Sequence, residues 1–335
     1  MDIEVQQKLE TLRSDYREVT GKPFSHFFCP ILFRDEDVPL CHAHIVNAAF
    51  PNSSRNLTIQ RADVDNFYGS VFESDFVNIQ YRGQQLADHV LGDPELSRKL
   101  RPTIRIAGED VQHFVATGPI PRRFTEVSLA GPSGTVRLGL KIHPDNALDP
   151  SQWQIVIEKD IRLPALVSTL KAAHLTLFEM LGYRYAMSAG GYFLGRDILG
   201  KFFLNNKGQS KSDVIASGLT HFREFANMMR PVLNPPADLG GTTADRFVFV
   251  CRCDDDAPWG FIVFVKTSHL VHSVLVPVLE SEGAAARFIA FLKGEGCTIR
   301  ANRCRYEGQK WFGAKDHEFL EWPTAAFEEP LFQES

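Results

Sequence analysis

No apolar run in this chain approaches the length of a membrane span, although 44% of its 335 residues are hydrophobic. The N-terminal MDIEVQQKLETLRSDYREVTGK is charged and helix-like, so a signal peptide is not expected. A basic excess is missing too. The formal net charge is -5, which excludes a generally basic nucleic-acid binder and leaves any such contact to a local patch. Cysteine is scarce, with six residues at irregular spacing, so a disulfide framework is not expected and a reducing, cytoplasmic setting is. There is no Gly-x-Ser-x-Gly elbow, no Gly-Lys-Ser/Thr phosphate loop, no internal repeat and no low-complexity tract.

What is present reads as an α+β protein. Val5, Leu9, Leu12 and Tyr16 fall on one face of a helix over residues 3–20. Turn residues dominate from Lys22 to Asn56. A helix then starts near Val64, with Asp63 or Asp65 as its cap. Between about Thr103 and Ile161 the segments TEVSLAG, TVRLGLKIH and WQIVIEKDI alternate as strands do. A strong helix covers about Pro164 to Leu181, with Gly182 as its stop, and SAGGYFLGRDILGKFFL continues helical. After the linker-like PVLNPPADLGGTTAD, the strands RFVFVCRC and WGFIVFVKT flank the turn DDDAP. The expected division is 1–85, 86–235 with strands followed by helices, and a β-rich 236–335, the first portion followed by a larger mixed α/β part.

The stretch LCHAHIVNAAF, Leu40 to Phe50, places one cysteine and two histidines within four positions. One reading is a buried strand, with Cys29 and Cys41 as small core residues, as free cysteines usually are. The other rests on order. Cys29 precedes the turn FRDEDVP, a strand carries His44, a loop reaches Asn56, and a helix opens at Asp65 and Asn66. That is the order of a ββα-metal site. There a strand histidine deprotonates water, a loop asparagine aims it, and polar residues at the helix start hold a divalent ion.

From Cys29 to Phe76 the chain resembles the HNH endonuclease family. AHIVN stands where the family has its EHIIP block, and VDNFYGSVFESDF where it has CN..FG...E. A weaker likeness extends into the helical segment after Leu166. The resemblance implies an N-terminal ββα-metal, treble-clef-like module with His44 and Asn56 as catalytic residues. Asp65, Asn66 and His42 would hold Mg²⁺ or Mn²⁺. DNA would be the substrate, and defence against foreign DNA is a role by analogy. The family's two Cys-x-x-Cys zinc knuckles are degenerate here. Only Cys29 remains of the first, with Leu32 in place of its second sulfur, and Arg61 and Val64 stand near the second. Cys29 and Cys41, with His42, supply three of the four ligands zinc needs, so a structural zinc is not expected. Ala43 replaces the acidic residue before the catalytic histidine. Two functions therefore stand: a divalent-metal-dependent DNA endonuclease, and an inactive HNH-like module that binds nucleic acid or protein. A homo-oligomer is compatible with either.

Elsewhere, Cys251, Cys253, Cys297 and Cys304 lack zinc-site spacing. Arg300, Arg303, Arg305 and Lys310 interleave with Tyr306 and Trp311 and form the candidate nucleic-acid edge. Arg101, Arg105, Arg122 and Arg123 are weaker hints of the same kind. Glu73 lies two helical turns past Asp65, too far to share its ligand shell on a straight helix.

Overall fold

The computed structural model describes residues 3–50, 57–73, 76, 103–106, 109–111, 115–116, 127–131, 134–138, 153–156, 162–215, 245–252, 258–267, 271–277, 286, 300–307 and 310–312. The class is α+β, as the sequence indicates. Two compact units form. One joins 1–77 to 163–335 and the other is 78–162. The N-terminal module shares its unit with the later helices and strands, and the expected middle domain divides near residue 162. The reason is packing, since the helix after residue 162 supplies the core on which the N-terminal elements rest.

Helix α1 (Ile3–Thr20) buries Val5, Leu9 and Leu12. It stops where Gly21 takes φ 70° and donates its N–H to the Arg17 carbonyl at 2.9 Å, a left-handed cap that glycine adopts without steric cost. The following loop buries Phe24, Phe27, Cys29, Ile31 and Leu32. Strand β1 (Leu40–His44) pairs antiparallel with β2 (Leu57–Arg61), Leu40 opposite Arg61 and His44 opposite Leu57. Helix α2 (Ala62–Tyr68) leaves β2 directly and widens into a π segment, Gly69–Glu73.

The ββα order is thus present, with two corrections. His44 ends the first strand of the hairpin, not the second. The helix starts at Ala62 with Arg61 as its N-cap and no side-chain cap, so neither Asp63 nor Asp65 caps it; both stand in its first turn.

Helix α3 (Arg162–Leu181) is buried almost throughout from Ala165 onward. It carries Ser168, Thr169, Lys171, His174 and Thr176 into the interior. Serine and threonine spend their hydroxyls on their own helix, as in Thr169 to the Ala165 carbonyl at 3.0 Å and Thr176 to that of Ala172 at 2.7 Å. Gly182 ends the helix at φ 62°. Any side chain there would meet the Asp15 carboxylate, which accepts from the Tyr183 N–H at 2.6 Å. Short helices α4 (Tyr183–Ala186) and α5 (Ala189–Tyr192) lead into a second π segment, Phe193–Gly200, and α6 (Lys201–Asn206). Gly195 lets this segment press against the Pro30 carbonyl and the His174 ring, where a Cβ would come within 2.5 and 2.7 Å.

The unit 78–162 holds two three-stranded antiparallel sheets. In one, β3 (Thr103–Ile106) lies between β4 (Glu109–Val111) and β8 (Trp153–Val156); in the other, β6 (Val127–Gly131) lies between β5 (Val115–Ala116) and β7 (Gly134–Leu138). The C-terminal strands β9 (Asp245–Arg252), β10 (Pro258–Lys266), β11 (Val271–Pro277), β12 (Arg300–Glu307) and β13 (Lys310–Phe312) form one antiparallel sheet ordered β11-β10-β9-β12-β13. Along β9, Arg246, Val248 and Val250 are buried and Asp245, Phe247 and Phe249 half-buried, the period-two pattern of a strand with one inner face. No described helix is long and apolar enough to cross a membrane.

Candidate functional site

The polar cluster of the ββα module forms around a residue the sequence reading did not select. The Lys171 ammonium of α3 donates to Asp65 Oδ1 at 2.8 Å and to Glu73 Oε1 at 3.1 Å. The lysine side chain is 2% exposed, against 25% for Asp65 and 17% for Glu73. The other two carboxylate oxygens also have donors. Asn47 Nδ2 reaches Glu73 Oε2 at 2.5 Å, and the Cys41 thiol faces Asp65 Oδ2 at 3.9 Å, a long contact of the kind sulfur makes. Asn47 is oriented by the bond its Oδ1 accepts from the Ala49 N–H at 2.8 Å. The Lys171 ammonium also lies 5.8 Å from the centre of the Tyr68 ring.

Local geometry explains how Asp65 and Glu73 meet. On a straight α-helix two turns take about 7.2 residues, so a position eight along drifts off the face. The π segment spends an extra residue on its turn and brings Glu73 back over Asp65. The expectation that Glu73 stands too far away is corrected by this one widened turn. Burial alone would depress the Lys171 ammonium, but Glu73 and Asp65 outweigh it and hold it above the ordinary lysine value. Burial, then the neighbouring Asp65 charge, push the Cys41 thiol up to about 11 despite Lys171, so it stands as S–H.

The residues singled out in the sequence are placed as follows. Cys41 faces α2, so the alternation of β1 puts the buried Ala43 on that side and His42 and His44 on the other. Both histidines are half-buried and, among the described residues, neither has a hydrogen-bond or ion-pair partner. Asn56 lies outside the described residues. Asn66 is exposed and lines a shallow groove of about 480 Å³ with Phe67, Val71, Phe203 and Lys207. Asp65 and Asn66 therefore diverge, as neighbours on a helix do. The ion ligands implied by the HNH likeness are not brought together. Asp65 faces a lysine, Asn66 a groove and His42 the far side of the hairpin. Among the described residues, no three His, Cys, Asp or Glu are placed to hold a metal ion. The donor set does not fit Mg²⁺ or Mn²⁺.

The residues at the degenerate knuckle positions likewise have protein partners. Cys29 is fully buried, and its sulfur accepts the Leu32 N–H at 3.4 Å, so the turn keeps a knuckle-like N–H···S bond. Burial pushes its thiol up to about 11. Arg61, near the lost second knuckle, is bound by both Asp63 oxygens at 3.0 Å and by Glu36. Burial opposes the Asp63 charge, but hydrogen bonds from Arg61 and Lys207 outweigh it and hold the carboxyl at about 2. Cys41 lies with Asp65, so Cys29 and Cys41 belong to different clusters.

His174 is a further buried polar group. Its Nε2 lies 3.0 Å from the Pro30 carbonyl and its Nδ1 3.0 Å from the Tyr185 hydroxyl. A carbonyl only accepts, so Nε2 carries the proton and Nδ1 accepts from tyrosine. Burial lowers its pKa to about 4 against the Pro30 bond, and the ring is neutral. In the C-terminal sheet, Arg300 stands opposite Arg252, Arg303 opposite Phe249, Arg305 opposite Phe312 and Lys310 opposite Glu307. All four candidate contact residues therefore lie on the adjacent strands β12 and β13.

Lys171, Glu73 and Asn47 are what sequence reasoning missed. The legible signal was Lys171 itself, with His174 and Glu179, in a helix whose other residues after Arg162 are apolar or small hydroxyl side chains. Comparison of the chain with protein-family models, with curated proteins and with solved structures finds no match in any of the three.

Proposed function

We propose that this chain is an HNH-like ββα module that binds nucleic acid without cutting it. One observation carries the reading. All four carboxylate oxygens of Asp65 and Glu73 face protein donors, so the place where the family resemblance would put a metal is closed by a lysine. Ala43 points the same way, since a buried methyl stands where a ligand would be. The partner is DNA, with Arg303 and Arg305 of β12 among its phosphate contacts.

The test is a gel shift with labelled duplex DNA in Mg²⁺, Mn²⁺ and EDTA. The expected outcome is a shifted, intact duplex in all three buffers. Joint Arg303→Ala and Arg305→Ala replacement should weaken the shift and flatten its salt dependence. No shift at any salt would contradict the proposal.

A second reading, an HNH-type endonuclease using Mg²⁺ or Mn²⁺, has one observation in its favour: β1, β2 and α2 keep the ββα order, and His44 ends β1. It requires cleavage in the same assay. His44→Ala would then lower the rate about a hundredfold or more through loss of a general base.

A further inference from the structure

We propose that the groove between α2 and the end of α6 holds one unpaired base of a DNA strand, stacked on Phe67, with the flanking phosphate on Lys207 and Lys211. The inference deepens the nucleic-acid reading above and rests on it. It names single-stranded DNA as the form bound here, through residues that duplex contact at β12 does not use.

The groove measures about 480 Å³, within the range of small-ligand sites. One wall comes from α2 and the π segment, which contribute Asn66, Phe67 and Val71. The other comes from the end of α6 and the turn after it, with Lys207, Gln209 and Lys211. Gly208 takes φ 85°, a left-handed conformation open to glycine, and the turn it makes sets all three at the same rim. The apolar part is Val71, 5% exposed, and the half-buried Phe67. The four described rings around Phe67 meet it at 58° to 90°, so none of them is stacked flat against it. A flat base suits that place.

Charge decides the occupant. The whole chain carries a formal -5, yet residues 193–211 hold Arg196, Lys201, Lys207 and Lys211 against Asp197 alone. Asp197 is matched by Lys201 at 2.8 Å. Asp63, also at the groove, accepts from Lys207 at 3.1 Å, but both its oxygens are already bound by Arg61 at 3.0 Å. Lys207 keeps 57% of its side chain exposed, so an incoming phosphate can share its ammonium. The exposed amides of Asn66 and Gln209 each donate and accept, which suits a base edge without fixing which base. An aromatic ring beside ammonium groups is the combination that holds single strands, whereas in a duplex the base faces are covered by their neighbours.

The test is fluorescence anisotropy of the full chain with a labelled dT oligomer and with an abasic strand of equal length. The parent should bind the dT oligomer about tenfold tighter than the abasic strand, and Phe67→Leu should erase that difference while holding the abasic strand as the parent does. Joint Lys207→Gln and Lys211→Gln replacement should weaken both strands and make the salt slope shallower by about 1.4. If Phe67→Leu does not fold, ultraviolet cross-linking of a 5-bromouracil strand to the parent should yield a peptide that contains Phe67, and a cross-link elsewhere overturns the proposal. It is overturned equally by no binding of either strand, by equal affinity for the two in the parent, or by an unchanged base preference in folded Phe67→Leu. Displacement of the dT oligomer by polyglutamate as readily as by unlabelled dT would also overturn it, since that is the response of a surface for acidic peptides. The duplex gel shift and its loss on replacing Arg303 and Arg305 are measured without these strands, so either result can fail alone.

Discussion

Lys171 and Glu179 lie eight residues apart on the same buried helix, and the fold brackets each with two opposite charges. Lys171 stands between Asp65 and Glu73; Glu179 stands between Arg246 and Lys8. The two sites differ in which member touches water. Around Lys171 the central cation is buried and its carboxylates reach solvent at 25% and 17% exposure. Around Glu179 the acid is 9% exposed and Arg246 0%, and only Lys8 reaches out. A solute can approach the carboxylates of the first cluster and has no comparable access to the second. The Lys171 end is thus where an ion could compete. The Glu179 end joins α1, α3 and β9 and is architecture. His174, between them, is bonded only to neutral groups and is itself neutral.

Breaking the closed end should cost most. Glu179→Gln leaves the Arg246 guanidinium buried without its carboxylate, and a chemical denaturation curve should show a loss of about 4–5 kcal/mol. Lys171→Met should cost about 3 kcal/mol, less because its partner carboxylates touch water and gain hydration. A Lys171 loss larger than the Glu179 loss would reverse the assignment of the two ends.

The neutral residue between them sharpens the comparison through pH. His174 has a folded-state pKa of about 4 against an ordinary 6.5. A depressed base contributes stability that is fully present above 6.5 and lost as pH falls toward 4. That loss is worth about 3 kcal/mol for a fully buried ring. His174→Gln should flatten the stability profile across this window, and an unchanged profile would mean the ring is not buried neutral. The smallest effect belongs to the surface. Asp63→Asn removes the bidentate partner of Arg61, but Glu36 remains and the site is half-open, so about 1 kcal/mol or less is expected.

The sequence made α1, the β1–α2 order and the β9–β10 hairpin legible because each follows a simple periodicity with turn residues at its ends. Strand β2 did not stand out. Thr58 and Gln60 are buried on one face and Ile59 on the other, so LTIQR lacks the polar-out alternation of a half-exposed strand. Asp63 and Asp65 resembled caps, yet the chain enters the helix straight from a strand through Arg61. The candidate site was half legible. Asp65 and Cys41 were found from local order, but their partner Lys171 is 106 residues from Asp65. A π segment has no dependable sequence signal, so the meeting of Asp65 with Glu73 could not be read from spacing.

The central claim, that a lysine stands where an ion would, is tested most directly by anomalous scattering from crystals soaked in Mn²⁺. The account predicts no manganese peak between Asp65 and Glu73, with Lys171 still bonded to both carboxylates. A peak there, with the Lys171 side chain displaced from both carboxylates, would contradict it and return the cluster to the reading of a metal-dependent nuclease.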